Sequence, residues 1–205
     1  MTRTLAVVTA GLSQPSASRL LADQLAAATK NELERLGVPV DMHIIEVRDF
    51  ARDIADNIVT GFPSPALKTA VDAVAGADGV IAVAPTFRAS FSGLFKSFID
   101  VLDAAALEGT PVLIAATGGT ARHSLVLEHA IRPVFTYMHA AVVPTSVFAA
   151  TDDWAGGGSV DGAVASLRAR IQRAARELAA EIARREPKTI ADPFALTTSF
   201  DELLG

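Results

Sequence analysis

The chain of 205 residues contains no cysteine, which excludes disulfides, thiol catalysis and cysteine-based metal sites and fits a cytoplasmic setting. Aromatic residues are scarce at 6%, with one tryptophan and one tyrosine beside ten phenylalanines. Half of the chain is nevertheless hydrophobic, so helices are expected to pack closely on a sheet through small side chains. An excess of positive charge is also missing. With 18 lysines and arginines against 23 acidic side chains the formal net charge is −5, and no general basic patch is available for nucleic acid. No apolar stretch approaches the roughly 20 residues of a membrane span. The first apolar run starts at Leu5 and stops at Gly11, too short for a signal peptide, so a cytoplasmic protein is expected. No internal repeat is visible, and the length suits one domain with a full core.

What the chain does have is alternation. Strand-like runs at residues 4–10, 38–47, 79–84, 110–117 and 141–148 alternate with helical patterns at 16–36, 64–75, 92–104 and 124–138, and a fifth near 161–185. Residues 80–84 and 111–115 are apolar without a break, the mark of parallel strands covered on both faces. Gly37 ends the first helical pattern, Ser64 and Pro65 begin the second, and Leu21, Leu25 and Ala28 share one helix face. Five strands in this alternation predict a doubly wound α/β domain of order 2-1-3-4-5, over residues 1–186. Residues 48–62 read as a long connection and residues 149–162 as a mobile, glycine-rich one. Residues 187–205 read as a tail whose Phe194, Phe200, Leu203 and Leu204 leave docking on a neighbouring subunit and disorder both open.

Ligands of such sheets bind beyond the carboxyl ends of the strands, here strands 1, 3 and 4. After the first strand comes a loop bearing Ser13, Ser16, Ser18 and Arg19 at a helix start. Unpaired N–H groups there, with hydroxyls and a guanidinium beside them, suit a phosphate monoester. The loop is neither a Walker loop nor a dinucleotide-binding glycine turn, and points to a flavin mononucleotide (FMN) site. After strand 3 comes Pro85, Thr86, Phe87 and Arg88, and after strand 4 comes Thr117, Gly118, Gly119 and Thr120.

In their order and spacing these three segments resemble the NADPH-dependent FMN reductase family, more closely its alkanesulfonate type, over strand 1 to about Phe148. The resemblance implies a flavodoxin-like fold and an NAD(P)H:FMN oxidoreductase that supplies reduced flavin to a flavin-dependent monooxygenase. It implies that Ser13, Ser16, Ser18 and Arg19 hold the FMN phosphate. Pro85, Thr86, Phe87 and Arg88 would border the isoalloxazine on one side, and Thr117, Gly118, Gly119 and Thr120 on the other. The family's usual serine-glycine-serine start is replaced by Ala10, Gly11 and Leu12. Arg88 and Arg122 are candidates for orienting NADPH or NADH. Hydride transfer needs stacked rings and donors near the flavin pyrimidine, so no catalytic acid or base is nominated.

Plainer readings stand beside these. Ser13 to Ser18 also suit a loop with an N-cap, Thr117 to Thr120 a simple turn, and Phe95 and Phe98 the core. Lys96 and Asp100 form an i,i+4 pair on a solvated face. The histidines at 43, 123, 129 and 139 lack the spacing of a metal pair, so no metal is expected. Gly11, Leu12, Ser13 and Gln14 imitate a nucleophile elbow without its final glycine. Residues 124–138, apolar on several sides and interrupted by Pro133, suggest a homodimer or homotetramer. A quinone, azo or metal-ion reductase with tightly bound FMN is the alternative, and a flavodoxin-like electron carrier a third.

Overall fold

Uninterrupted apolar runs become the buried middle of a parallel sheet. β1 (Arg3–Thr9), β3 (Gly79–Phe87) and β5 (Pro111–Gly118) bury side chains on both faces, as parallel strands between two helical layers must. The computed structural model describes residues 1–154 and 166–188. Outward from β1 lies β2 (Val40–Glu46); outward from β5 lie two short strands, β6 (Ala141–Val142) and β7 (Val147–Ala150), both parallel to it. The order β2-β1-β3-β5 with β6 and β7 sharing the last place is the 2-1-3-4-5 arrangement expected from the sequence.

On one face α1 (Ala17–Arg35) and α7 (Leu167–Ala183) cover Leu5, Val7, Ile81 and Leu113 with Leu21, Leu25, Leu178 and Ile182. The opposite face buries Val8, Val80 and Ile114. Its helices are α2 (Ala51–Thr60), α3 (Pro65–Ala75), α4 (Gly93–Asp100) and α5 (Arg132–Tyr137). α1 ends as its glycine predicts. Gly37, at φ 74°, lets its own N–H reach Glu34 O and that of Val38 reach Leu33 O.

Several expectations are corrected. Strand 3 does not stop at Ala84 but runs to Phe87 and turns back as β4 (Ser90–Phe91). β1 ends opposite Val83, so β3 has no ladder bond on that side for Pro85 to lose. Residues 48–62 are not a loop: a 3-10 turn at Val47–Phe50 leads into α2. The expected fifth strand is broken between Val142 and Val147, where Arg132 donates to the carbonyls of Val143 and Pro144 and the Thr145 N–H donates to Glu177. Before Pro133 the chain widens into a π turn at Leu127–Ile131, and the proline sits in the first turn of α5, where its missing N–H costs least. In the segment expected to be mobile, Ala149 and Ala150 belong to β7, and α6 (Thr151–Trp154) follows with Asp153 bonded to Arg170. Residues 155–165 and 189–205, with Phe194, Phe200, Leu203 and Leu204, lie outside the described residues. No helix among the described residues is long and apolar enough to cross a membrane.

Candidate functional site

The strand register builds a step at the carboxyl end of the sheet. Glu46, Thr9, Val83, Ala115 and Val147 lie in one row, at which β1 and β2 end. β3, β5 and β7 continue past it, and the first loop and the start of α1 lie where β1 has stopped.

Ser16 is the N-cap of α1: its hydroxyl accepts from the Arg19 N–H at 3.2 Å and its carbonyl accepts from the Leu20 N–H at 3.0 Å. Among the described residues, no acceptor is bonded to the backbone N–H groups of Leu12, Ser13, Gln14, Ala17 or Ser18. Consecutive free donors at a helix start form a concavity for an anion, helped by the helix dipole. Gly11 makes the fold of this loop possible, because a Cβ there would lie 1.9 Å from Ser16 Oγ.

The sequence-nominated residues divide into two groups. Ser13 and Ser16 stand at the loop surface. Ser18 is buried, and its hydroxyl shares a hydrogen bond of 2.8 Å with that of Thr117, tying the first turn of α1 to the end of β5. Arg19 turns towards acidic neighbours: Nε donates to Asp23 at 2.8 Å and Nη1 to Glu46. Bonding to Asp23, ahead of Glu46, raises the Arg19 pKa above its usual value. The sequence reading missed Glu46 and Arg48. Glu46 Oε2 accepts from Arg48 Nη2 at 2.6 Å, and Arg48 Nη1 donates to Ser13 O at 3.0 Å. The available signal was a Glu-Val-Arg run at the end of strand 2, the neighbour of strand 1 in the expected order.

On the other side of the step, β3 and β4 form a hairpin with Arg88 and Ala89 at its tip, at φ 48° and 64°. Positive φ at both central residues fits the twist of a two-residue hairpin but costs about 1 kcal/mol or more for a residue with a Cβ. Ala89→Gly is therefore expected to stabilise the protein by about 1 kcal/mol, read as a rise in the denaturation midpoint. An unchanged or lowered midpoint would show that the tip is not strained.

Behind the hairpin lies a cavity of about 300 Å³, with Thr86, Ala89, Arg122, His123, Val126 and His129 among its lining residues. Thr86 Oγ1 is buried and has no partner among the described residues. Gly118 stands between Thr86 and the core: a Cβ there would lie 2.8 Å from Phe148 Cζ and 3.4 Å from Thr86 Oγ1, whereas one on Gly119 would meet nothing within 4 Å. A donor-lined helix start, a backbone stripped of side chains at the end of β5 and an unsatisfied hydroxyl beside a cavity fit FMN. The first suits its phosphate and the other two its ring.

Comparison with known proteins agrees. The profile of the NADPH-dependent FMN reductase family matches residues 3–155. The NADH-dependent FMN reductase SfnF of Pseudomonas fluorescens (strain Pf0-1) is 37% identical over 183 residues, covering 87% of this chain and 92% of that one. An FMN reductase (NADPH) of Pseudomonas aeruginosa is 35% identical over 172 residues, covering 84% and 88%. Among solved structures, an oxidoreductase from Corynebacterium diphtheriae superposes with a TM-score of 0.84 at 43% identity, covering 90% of this chain and 99% of that one. The NADH:FMN oxidoreductase EMOB superposes in its apo form at 0.77 with 27% identity, covering 94% and 97%. With the strand order, the helix start and the glycine-bearing end of β5 already in place, the chain belongs to the flavodoxin-like family of NADPH-dependent FMN reductases.

Proposed function

We propose that the protein reduces FMN with NADPH or NADH and releases the reduced flavin to a partner flavin-dependent monooxygenase. The observation that carries this reading is the row of free backbone donors at the start of α1, placed across the step from Gly118 and Gly119. The names of the SfnF relative and of the Pseudomonas aeruginosa reductase support the reductase half.

Ser13, Ser16 and the free N–H groups of the loop take the phosphate, while Ser18 braces the loop through Thr117 and Arg19 adds positive charge. Pro85, Thr86, Phe87 and Arg88 border one side of the ring, and Thr117, Gly118, Gly119 and Thr120 the other. Once bound, the flavin supplies the acceptor for a hydride from the reduced nicotinamide. The chain's part is to bring the two rings together and to place backbone donors and the Arg88 guanidinium near developing negative charge. No side chain is assigned as a proton donor.

The protein works as a homodimer or homotetramer in this reading. An open groove of about 440 Å³ between α4 and α5, lined by Ile99, Leu102, Pro133, Val134, Tyr137 and Met138, supports it, since Tyr137 is 84% exposed.

Steady-state oxidation of NADPH and NADH by dialysed protein, with and without free FMN, tests the proposal. Turnover that requires FMN and saturates with it is expected. A protein that stays yellow through dialysis and turns over without added FMN would replace this reading with a reductase that retains FMN and serves another acceptor, such as a quinone or an azo dye.

A further inference from the structure

At the end of β2 one carboxylate holds two guanidiniums. Glu46 Oε1 accepts from Arg19 Nη1 and Oε2 accepts from Arg48 Nη2, and both Glu46 and Arg48 are 18% exposed in their side chains. Arg48 also lies 3.6 Å from Asp49 through Nε, and with Leu12, Gln14 and Asp49 it lines a cavity of about 330 Å³ beside the first loop. Its Nη1 donates to the carbonyl of Ser13, across 35 positions of sequence.

That grip sets a direction. In a trans peptide the C=O and the following N–H lie in one plane and point to opposite sides of the C–N bond. With Ser13 O drawn to Arg48, the Gln14 N–H faces away from Arg48, and it is one of the N–H groups with no acceptor among the described residues. We infer that Arg48, positioned by Glu46, is a specificity-determining residue for the flavin phosphate. It anchors the Ser13–Gln14 peptide so that its N–H joins the phosphate cradle. The inference rests on the first loop being the phosphate site. Glu46 does double duty, since it also holds Arg19 at the start of α1. The end of β2 and the turn that follows it thus control recognition of the phosphate from the side.

Binding of FMN and of riboflavin, which lacks only the phosphate, separates this role from a general structural one. Both dissociation constants are measured by flavin fluorescence for the wild-type protein, Arg48→Gln, Glu46→Gln and the exposed control Arg52→Gln. The wild type is expected to prefer FMN over riboflavin by about tenfold or more, the size of a few charge-assisted hydrogen bonds. Arg48→Gln is expected to lose most of that preference while riboflavin affinity changes by less than about twofold, Glu46→Gln to lose part of it, and Arg52→Gln to retain it. A wild type that prefers FMN together with an Arg48→Gln variant that still does would overturn the role of Arg48 and leave the phosphate loop standing. Equal losses for both ligands in Arg48→Gln would make Arg48 a structural support only and would overturn it too. A wild type that does not distinguish the two ligands would remove the phosphate loop itself. If Arg48→Gln does not fold, Arg48→Lys carries the test, because it keeps the charge and lacks the planar fork that spans Glu46 and Ser13 O.

Discussion

Asp78→Ala is expected to cost about 3–5 kcal/mol of stability, the range for removing one partner of a buried ion pair. Asp78 precedes β3 at the amino end of the sheet, and its side chain is 7% exposed. One oxygen accepts from Arg3 Nη1 at 3.3 Å and from the Lys188 N–H at 2.7 Å; the other accepts from the Thr4 N–H at 2.7 Å and from Thr4 Oγ1 at 3.2 Å. This carboxylate therefore joins β1, the start of β3 and the segment after α7. Alanine would leave the guanidinium of Arg3, 10% exposed, with only the carbonyl of Arg185 to receive it among the described residues. Burial already lowers the pKa of Lys188, and the charge of Asp78 opposes that shift. Denaturant unfolding gives the loss directly. The double variant Asp78→Ala, Arg3→Met should recover part of it, because it removes the stranded charge together with its partner. A single-variant loss below about 1 kcal/mol would show that the cluster is solvated and energetically idle. FMN affinity measured well below the unfolding midpoint should stay within about twofold of wild type, since Asp78 lies at the opposite end of the strands from the site.

Gly118→Val should have the largest effect on binding, a weakening of FMN affinity by about a hundredfold, or roughly 2.7 kcal/mol. Two effects add. A Cβ at this position would lie 2.8 Å from the ring of Phe148, which is 4% exposed, so valine must push that ring into the core at a cost of about 1–3 kcal/mol. Its methyl groups would also fill the space beside Thr86 Oγ1, where the flavin ring is proposed to approach bare backbone. Gly79→Ala separates the two contributions. Its Cβ would lie 2.4 Å from Ile182 Cδ1 and 2.8 Å from Cγ1, so it is overpacked in a similar way at the amino end of β3, far from the loop. Equilibrium titration with FMN should therefore show normal affinity in Gly79→Ala and little binding in Gly118→Val, with comparable losses of stability. Affinity within about threefold of wild type in Gly118→Val would mean that the ring does not approach this glycine.

The architecture was legible because it rests on patterns local in sequence. Residues 80–84 and 111–115 are too apolar to face water on either side, so both became central parallel strands. Ser64 and Ser92 cap α3 and α4 through their own hydroxyls, and Ser16 caps α1 in the same way. α2 went unread although its pattern is there: Ala51, Ile54, Ala55, Ile58 and Val59 stand at i, i+3, i+4, i+7 and i+8. It buries only Ile54 completely, leaves Val59 84% exposed, has no side-chain N-cap and carries Asp53, Asp56 and Asn57, all poor helix formers, which hid that spacing.

The site divides along the same line. Which residue types stand at the strand ends was readable from Ser13 to Arg19, from Pro85 to Arg88 and from Thr117 to Thr120, because a strand followed by a helix start puts them at the sheet's carboxyl edge. What each side chain does there was not readable. Arg19, read as a phosphate ligand, also pairs with Asp23 and Glu46. Ser18, read as another phosphate ligand, bonds Thr117, 99 positions away. Arg48 drew no attention, yet it holds the loop carbonyl of Ser13. Hydrophobic period, caps and turn residues act over a few positions, so the sequence by itself determined most of the elements, their order and the edge at which the candidate site lies. The hydrogen bonds and ion pairs of the site join residues from different strands, and only the tertiary structure, by setting the strand register, decided which donor meets which acceptor.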